Sequence, residues 1–337
     1  MAIPLLWLQL AAATLVILGA STFLAKSADI IAFKTGLGRS FVGVVLLATA
    51  TSLPELGTGV SSIVLVGEPD LAAGDAFGSN LVNLLIIGLI DIFWRGSPLL
   101  KNVGTTSVLT GALGVALISL AAIAILIHSA TTAVSGWYVS PVSVAMFVVF
   151  LAAMYMIFRS SQAQEQDAPQ HAPHEYGLAS MSRATLTFLV AAAAVLGSAI
   201  WLAQVGDRIA TAMAWEASYV GTQFLAISTS LPELATSFAA IRLNAPDLAI
   251  SNLLGSNLFN MGFVLFLDDV AYSNGALWTT VSEIHSLTAV IAIVMTCVIL
   301  IAMGSRPRER PGRFWTVEAA LLIGLYLSAS GLVFYLS

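Results

Sequence analysis

A six-residue cluster ending in a carboxylate occurs twice in this chain, each time inside an apolar run where a charge is costly. The first copy reads Ala50-Thr51-Ser52-Leu53-Pro54-Glu55 and is followed by Gly78-Ser79-Asn80-Leu81-Val82-Asn83. The second reads Ser228-Thr229-Ser230-Leu231-Pro232-Glu233 and is followed by Gly255-Ser256-Asn257-Leu258-Phe259-Asn260. The glutamates stand 178 positions apart, about half of the 337 residues. An unpaired carboxylate at a bilayer centre costs roughly 2.5–3.5 kcal/mol or more, and no basic residue in an adjacent span offsets it at either copy. Duplicated polar clusters in apolar surroundings are what two repeats meeting at one midplane site require.

The apolar surroundings identify the class of chain. Hydrophobic residues make up 58% and charged residues 9%, against about 45–50% and 25% in a soluble domain. Long apolar runs exclude a barrel, whose strands alternate with a period of two. Runs able to cross a ~30 Å hydrocarbon core fall at 4–24, 38–66, 71–93, 104–127 and 138–158, then 183–203, 217–241, 247–268, 284–303 and 315–336. The first lacks the basic leading region of a secretory signal and exceeds its usual apolar length, so it is read as a span. Residues 159–182 are polar, contain Pro169 and Pro173, and cannot bury themselves. The sequence thus predicts an all-α integral membrane protein of ten transmembrane helices: a first five-helix repeat (1–158), a linker (159–182) and a second repeat (183–337).

Basic residues test this topology. Twelve of the 13 fall on one side of it and Arg208 alone on the other. The positive-inside rule makes that side the cytoplasm. Both termini are then outside and the linker is cytoplasmic, in a multi-pass protein of the cell (inner) membrane. Five spans per half make the second repeat enter from the opposite side, so the repeats are inverted. The correspondence extends to Asp29 with Asp207, and to Pro69-Asp70-Leu71-Ala72 with Pro246-Asp247-Leu248-Ala249. The lipid bilayer is the expected partner and nucleic acid is not, the chain is expected to function as a monomer, and no cofactor is implied. One cysteine, Cys297, permits neither a disulfide nor a Cys-based metal site within the chain.

On a helix, residues three and four apart share a face. Thr51, Ser52 and Glu55 therefore point together, as do Thr229, Ser230 and Glu233, while Ser79 pairs with Asn83 and Ser256 with Asn260. Every group offers oxygen, which suits hard cations such as Na⁺ and Ca²⁺ rather than zinc or copper. Pro54 and Pro232 lack an N–H, so the carbonyls of Ala50 and Ser228 lose their helical partners. Broken backbone at membrane depth is tolerated where it lines a cavity. Small and hydroxyl residues also pack helices tightly, a reading that suits Thr58, Ser62 and Ser237 as well but explains neither glutamate.

The doubled pattern Thr-Ser-Leu-Pro-Glu with Gly-Ser-Asn-x-x-Asn resembles the α-repeats of the sodium/calcium exchangers, in the cation/Ca²⁺ antiporter superfamily, and the resemblance covers nearly the whole chain. It implies that Glu55 and Glu233 coordinate Ca²⁺. It further implies that Thr51, Ser52, Thr229 and Ser230 supply Na⁺ or Ca²⁺ ligands, and that Ser79, Asn83, Ser256 and Asn260 line Na⁺ sites. The carbonyls of Ala48 and Ala226, seven residues before each glutamate, are implied as further ligands.

Three departures matter. Ala50 and Ser228 stand where the family usually has glycine, which is expected to narrow the site or stiffen the helix. Asn260 stands where potassium-dependent members have Asp, which leaves two carboxylates for one Ca²⁺ and argues against K⁺ transport. Asp75 stands where many members, and this chain's own second repeat at Asn252, have Asn. Asp75 forms a stripe with Ser79 and Asn83. Either it faces their cavity, or it is a hydrated interfacial acid at the end of its span, the reading its position favours. His128 is expected to be solvated near a span end, and Asp91 to pair with Arg95 four residues on. The function implied is secondary antiport of Na⁺ against Ca²⁺ by alternating access at the midplane, with both ions competing for Glu55 and Glu233. Proton-driven Ca²⁺ exchange on the same glutamates is the alternative, followed by a cation channel. No Ser-His-Asp set, His-Glu-x-x-His motif or nucleotide loop points to an enzyme.

Overall fold

A chain in hydrocarbon must satisfy its backbone internally, and every regular element among the described residues is helical. The computed structural model describes residues 3–35, 49–94, 99–131, 137–165, 180–242, 245–305 and 316–336. The first half comprises α1 (Ile3–Thr35), α2 (Leu53–Ser61, extended by a π-turn at Ser62–Val66), α3 (Pro69–Phe93), α4 (Thr105–Ala130) and α5 (Pro141–Glu165). In the second half, α6 is Met181–Met213. Helix α7 runs from Ala217–Val220 through a π-turn (Gly221–Leu225) and Ala226–Thr229 to Leu231–Arg242. Helix α8 joins Pro246–Phe259, a π-turn at Asn260–Val264 and Leu265–Ala271, and α9 (Ile284–Ser305) and α10 (Val317–Leu336) follow. Eight of these are long and apolar enough to span a membrane, and α7 makes nine if its bent halves count as one span. Helix α2 is too short on its described residues, so the expected count of ten is met only to eight or nine. The linker and the start of the 38–66 span lie largely outside the described residues.

Two expected spans are much longer than their apolar runs. Helices α1 and α6 have 33 residues each, about 50 Å at 1.5 Å per residue, where 4–24 and 183–203 were expected. They pack against each other along their length, and α6 also covers α2. Helices α3 and α8 form the centre: 72% and 78% of their apolar windows are buried, against 17% for α1.

Each repeat closes its ends with acids that accept backbone N–H groups. Asp70, in the first turn of α3, accepts from Ser282 N at 2.7 Å ahead of α9; Asp247, in the first turn of α8, accepts from Gly104 N at 2.8 Å ahead of α4. At the far ends, Asp91 accepts from Leu99 N at 3.4 Å and Asp269 from Leu277 N at 2.6 Å. Asp70 and Asp247 are 177 positions apart but Asp91 and Asp269 are 178 apart. The extra residue is taken up by the π-turn in α8, which has no equivalent in the unbroken α3.

These contacts bear on two expectations. Asp91 accepts from the Leu99 N–H and the Thr316 hydroxyl, while Arg95, its expected partner, lies outside the described residues. His128 is buried, with Nδ1 2.8 Å from the Ala124 carbonyl and Nε2 3.4 Å from Ser140 Oγ.

Candidate ion-binding site

Proline sets the local geometry. Its ring excludes regular helix just before it, and the chain breaks at Ser52 (φ −90°, ψ 9°) and Ser230 (φ −84°, ψ 2°), two residues ahead of Pro54 and Pro232. Helix α7 bends by 41° at its break. Each break turns a Thr-Ser pair and the following glutamate toward α3 and α8 at the centre of the bundle. A close approach completes the arrangement. A Cβ on Gly78 of α3 would lie 2.5 Å from the Thr222 carbonyl oxygen and 2.7 Å from the Ala226 Cβ, so only glycine lets α3 touch α7 there.

Glu55 and Glu233 are both 0% exposed. Each accepts a serine hydroxyl. Glu55 Oε1 accepts from Ser230 Oγ of the other repeat at 3.5 Å, and Glu233 Oε1 accepts from Ser256 Oγ at 3.1 Å. Ser52 Oγ lies 2.8 Å from Ser256 Oγ, and Ser79 Oγ 3.3 Å from Thr229 Oγ1, again across the repeats. The asparagines interlock in the same way: Asn83 Nδ2 donates to Asn257 Oδ1 at 3.0 Å and Asn260 Nδ2 to Asn80 Oδ1 at 3.5 Å. The amide nitrogens of Asn83 and Asn260 are thereby engaged. Among the described residues, Glu55 Oε2, Glu233 Oε2, Asn83 Oδ1 and Asn260 Oδ1 are buried without a hydrogen-bond partner. Unpartnered buried oxygens are costly, and oxygens alone, two of them on carboxylates, make a chemically coherent set for hard cations.

The structure therefore gathers Thr51, Ser52, Glu55, Ser79, Asn83, Thr229, Ser230, Glu233, Ser256 and Asn260 into one buried cluster. The Ala226 carbonyl accepts from Ser230 N–H at 3.0 Å, so it is engaged within its own helix. Ala48 lies outside the described residues. Asp75 is not a hydrated interfacial acid. It is 1% exposed and accepts from Thr229 Oγ1 at 2.9 Å, with Oδ2 unpartnered. The two glycine replacements do not narrow the site. Ala50 packs with Leu24, Ala28, Ala191 and Val195 toward α1 and α6, and Ser228 Oγ donates to the Phe224 carbonyl at 2.7 Å.

Sequence reasoning missed Asn80 and Asn257, whose side chains orient Asn260 and Asn83, although both stand inside the quoted motifs. It also missed Asp268 of α8, 0% exposed with neither carboxylate oxygen partnered among the described residues. The signal available was the one used for the glutamates, an acid in an apolar run with no basic neighbour. Its place at the very end of the 247–268 run made it look like a span boundary.

Comparison with known proteins bears on the whole chain. The family model described as sodium/calcium exchanger protein matches residues 5–156 and 183–335, one segment per repeat. The chain is 27% identical over 281 residues to the inner membrane protein YrbG of Escherichia coli, covering 73% of this chain and 77% of that one. It is 22% identical over 341 residues to the sodium/calcium exchanger MaX1 of Methanosarcina acetivorans, covering 94% and 95%. A solved structure of the sodium-calcium exchanger NCX_Mj superposes with a TM-score of 0.62 over 98% of this chain and 99% of that one, at 18% identity, which establishes a common fold.

Proposed function

This chain belongs to the sodium/calcium exchanger family, and from that we propose that it exchanges Na⁺ for Ca²⁺ across the cell membrane, both ions competing for one site between the repeats. One observation supports the reading: two fully buried glutamates from opposite repeats, one accepting from Ser230 and the other from Ser256, each with one oxygen unpartnered among the described residues. Two carboxylates balance the charge of one Ca²⁺. The same oxygens, supplemented by Asn83, Asn260 and the hydroxyls of Thr51, Ser52, Ser79, Thr229, Ser230 and Ser256, suit Na⁺ ions bound singly. An empty site would leave two charges in a low-dielectric interior, so occupied states are the ones able to change access. The moving part is the α1–α6 pair, which packs together and carries little of the core.

Purified protein in liposomes, with Na⁺, K⁺ and H⁺ gradients imposed separately, tests the reading. Ca²⁺ uptake is expected under an outward Na⁺ gradient and in neither other case, and Glu55→Gln and Glu233→Gln are expected to reduce it at least a hundredfold in folded protein. Uptake that ignores Na⁺ and follows the pH gradient assigns the same glutamates to proton exchange instead.

A further inference from the structure

Asp268 stands apart from the two-fold pattern of the chain. Counting through the π-turn of α8, its neighbour Asp269 corresponds to Asp91 and Asp268 itself to Ile90 of α3. Asp269 has backbone partners, Leu277 N at 2.6 Å and Ser140 N at 2.8 Å. Asp268 has none among the described residues, for either oxygen, although the side chain is fully buried. Protonation does not resolve this, because a carboxyl O–H equally needs an acceptor.

The carboxylate has a specific position. A Cβ on Gly59 would lie 2.6 and 2.7 Å from its two oxygens, so Asp268 rests on the bare backbone of α2 one turn beyond Glu55. Ser62 lies three residues past Gly59, on the same face, and Thr58 flanks it. The α8 segment bearing Asp268 packs on both the α-helical part of α2 and its π-turn. Thr58 Oγ1 and Ser62 Oγ are each 0% exposed and have no hydrogen-bond partner among the described residues. Two hydroxyls and both oxygens of one carboxylate are thus buried and unpaired among the described residues, on two segments that pack together.

We propose that Asp268, Thr58 and Ser62 form a separate monovalent-cation site, taking Na⁺, on the route between the Glu55–Glu233 site and the face bearing the α2–α3 and α8–α9 turns. One carboxylate with neutral hydroxyls balances a single positive charge, and an all-oxygen set suits a hard ion. Because the first repeat offers Ile90 at the matching position, the opposite route has no such stop. Ions entering from the two faces therefore meet different affinities in an otherwise two-fold design. The inference rests on Na⁺ being a transported ion, and the test separates the two.

The measurement is equilibrium binding of ²²Na⁺, with ⁴⁵Ca²⁺ binding in the absence of Na⁺ as a control of folding and of the main site. Asp268→Asn keeps shape and removes charge. It is expected to bind one Na⁺ fewer than the parent protein, with Ca²⁺ affinity within twofold. Ser62→Ala, which leaves every ionisable group in place and serves if Asp268→Asn does not fold, is expected to weaken that one Na⁺ about tenfold. Unchanged Na⁺ stoichiometry and affinity in both variants overturns the site, as does a parallel loss of Ca²⁺ binding in folded protein. If the parent protein binds no Na⁺, the exchange reading falls with it; if the parent binds Na⁺ and the variants do not differ from it, only this site falls.

Discussion

Carboxylates in apolar runs carry most of the functional information in this chain, because a membrane interior leaves few bland reasons for an acid. That rule located Glu55 and Glu233, and hydroxyl and amide spacing located their neighbours, all of which the structure brings together. The same rule understated Asp75 and passed over Asp268, since linear position near a span end suggests solvent while the folded bundle buries both. Burial of an acid by a neighbouring helix is a tertiary fact with no local signal. Asp75 now supports a definite expectation. Asp75→Asn retains an oxygen for the Thr229 hydroxyl, now 2.9 Å away, and introduces the amide found at Asn252, so the fold should tolerate it. Loss of the negative charge is expected to weaken apparent cation affinity three- to tenfold while maximal exchange is retained, as concentration series of Ca²⁺ uptake will read. Unaltered affinity would assign the residue a packing role. Asn260 supports a second expectation. Its amide nitrogen is engaged by Asn80 and it brings no charge, so replacing K⁺ by choline on both sides of the liposome is expected to leave Na⁺-driven Ca²⁺ flux within twofold. Loss of most flux would show that K⁺ binds without an acid at position 260.

Elements were legible where a helical period or a proline fixes them and illegible where a packing contact does. Pro54 and Pro232 announced two broken helices; the breaks came at Ser52 and Ser230, where the backbone can reach the bridge region. The three π-turns among the described residues had no sequence signal, and the one in α8 was visible only after Asp91 and Asp269 were matched by their identical backbone contacts. Gly78 belongs to the same class. Its glycine was part of the motif, but the reason for it is the Thr222 carbonyl oxygen of α7, 2.5 Å from where a Cβ would stand. A backbone atom in a packed helix yields less readily than a side-chain tip. Gly78→Ala is therefore expected to destabilise the fold by about 1–3 kcal/mol, the usual range for overpacking, and to slow exchange by moving Ser79 away from Thr229. Thermal unfolding in detergent reads the first effect and liposome flux the second. A variant as stable as the parent protein would mean that α3 and α7 separate easily, contrary to their close approach.

For the whole molecule, inverted repeats were readable because basic residues sort by side and the motifs recur at half-chain spacing. The span count was less so, since α1 and α6 run beyond their apolar runs and α2 is described only in part. Charge is divided between the two faces. The face away from the other twelve basic residues carries Glu68 and Asp70 at the start of α3, Asp207 and the lone Arg208 near the end of α6, and Glu216 before α7. The field there is strong enough to act on its own members. Partial burial first, then the charges of Asp207, Asp70 and Glu216, raise the Glu68 carboxyl above its ordinary value. A group raised in this way takes up a proton at a higher pH than a free glutamate does, so acidification removes its charge early and weakens the attraction for cations at this mouth. Clefts lined by one sign of charge concentrate counter-ions, and salt screens them over a Debye length of about 10 Å at 0.1 M. Raising choline chloride from about 20 to 200 mM is therefore expected to weaken apparent Ca²⁺ affinity measured from this face several-fold, with little change from the other. Glu68→Gln and Glu216→Gln together are expected to remove a large part of that salt dependence without altering maximal flux, because neither residue reaches the buried site. Equal salt dependence from both faces, or none in the parent protein, would mean that these acids anchor the loops and have no part in gathering ions.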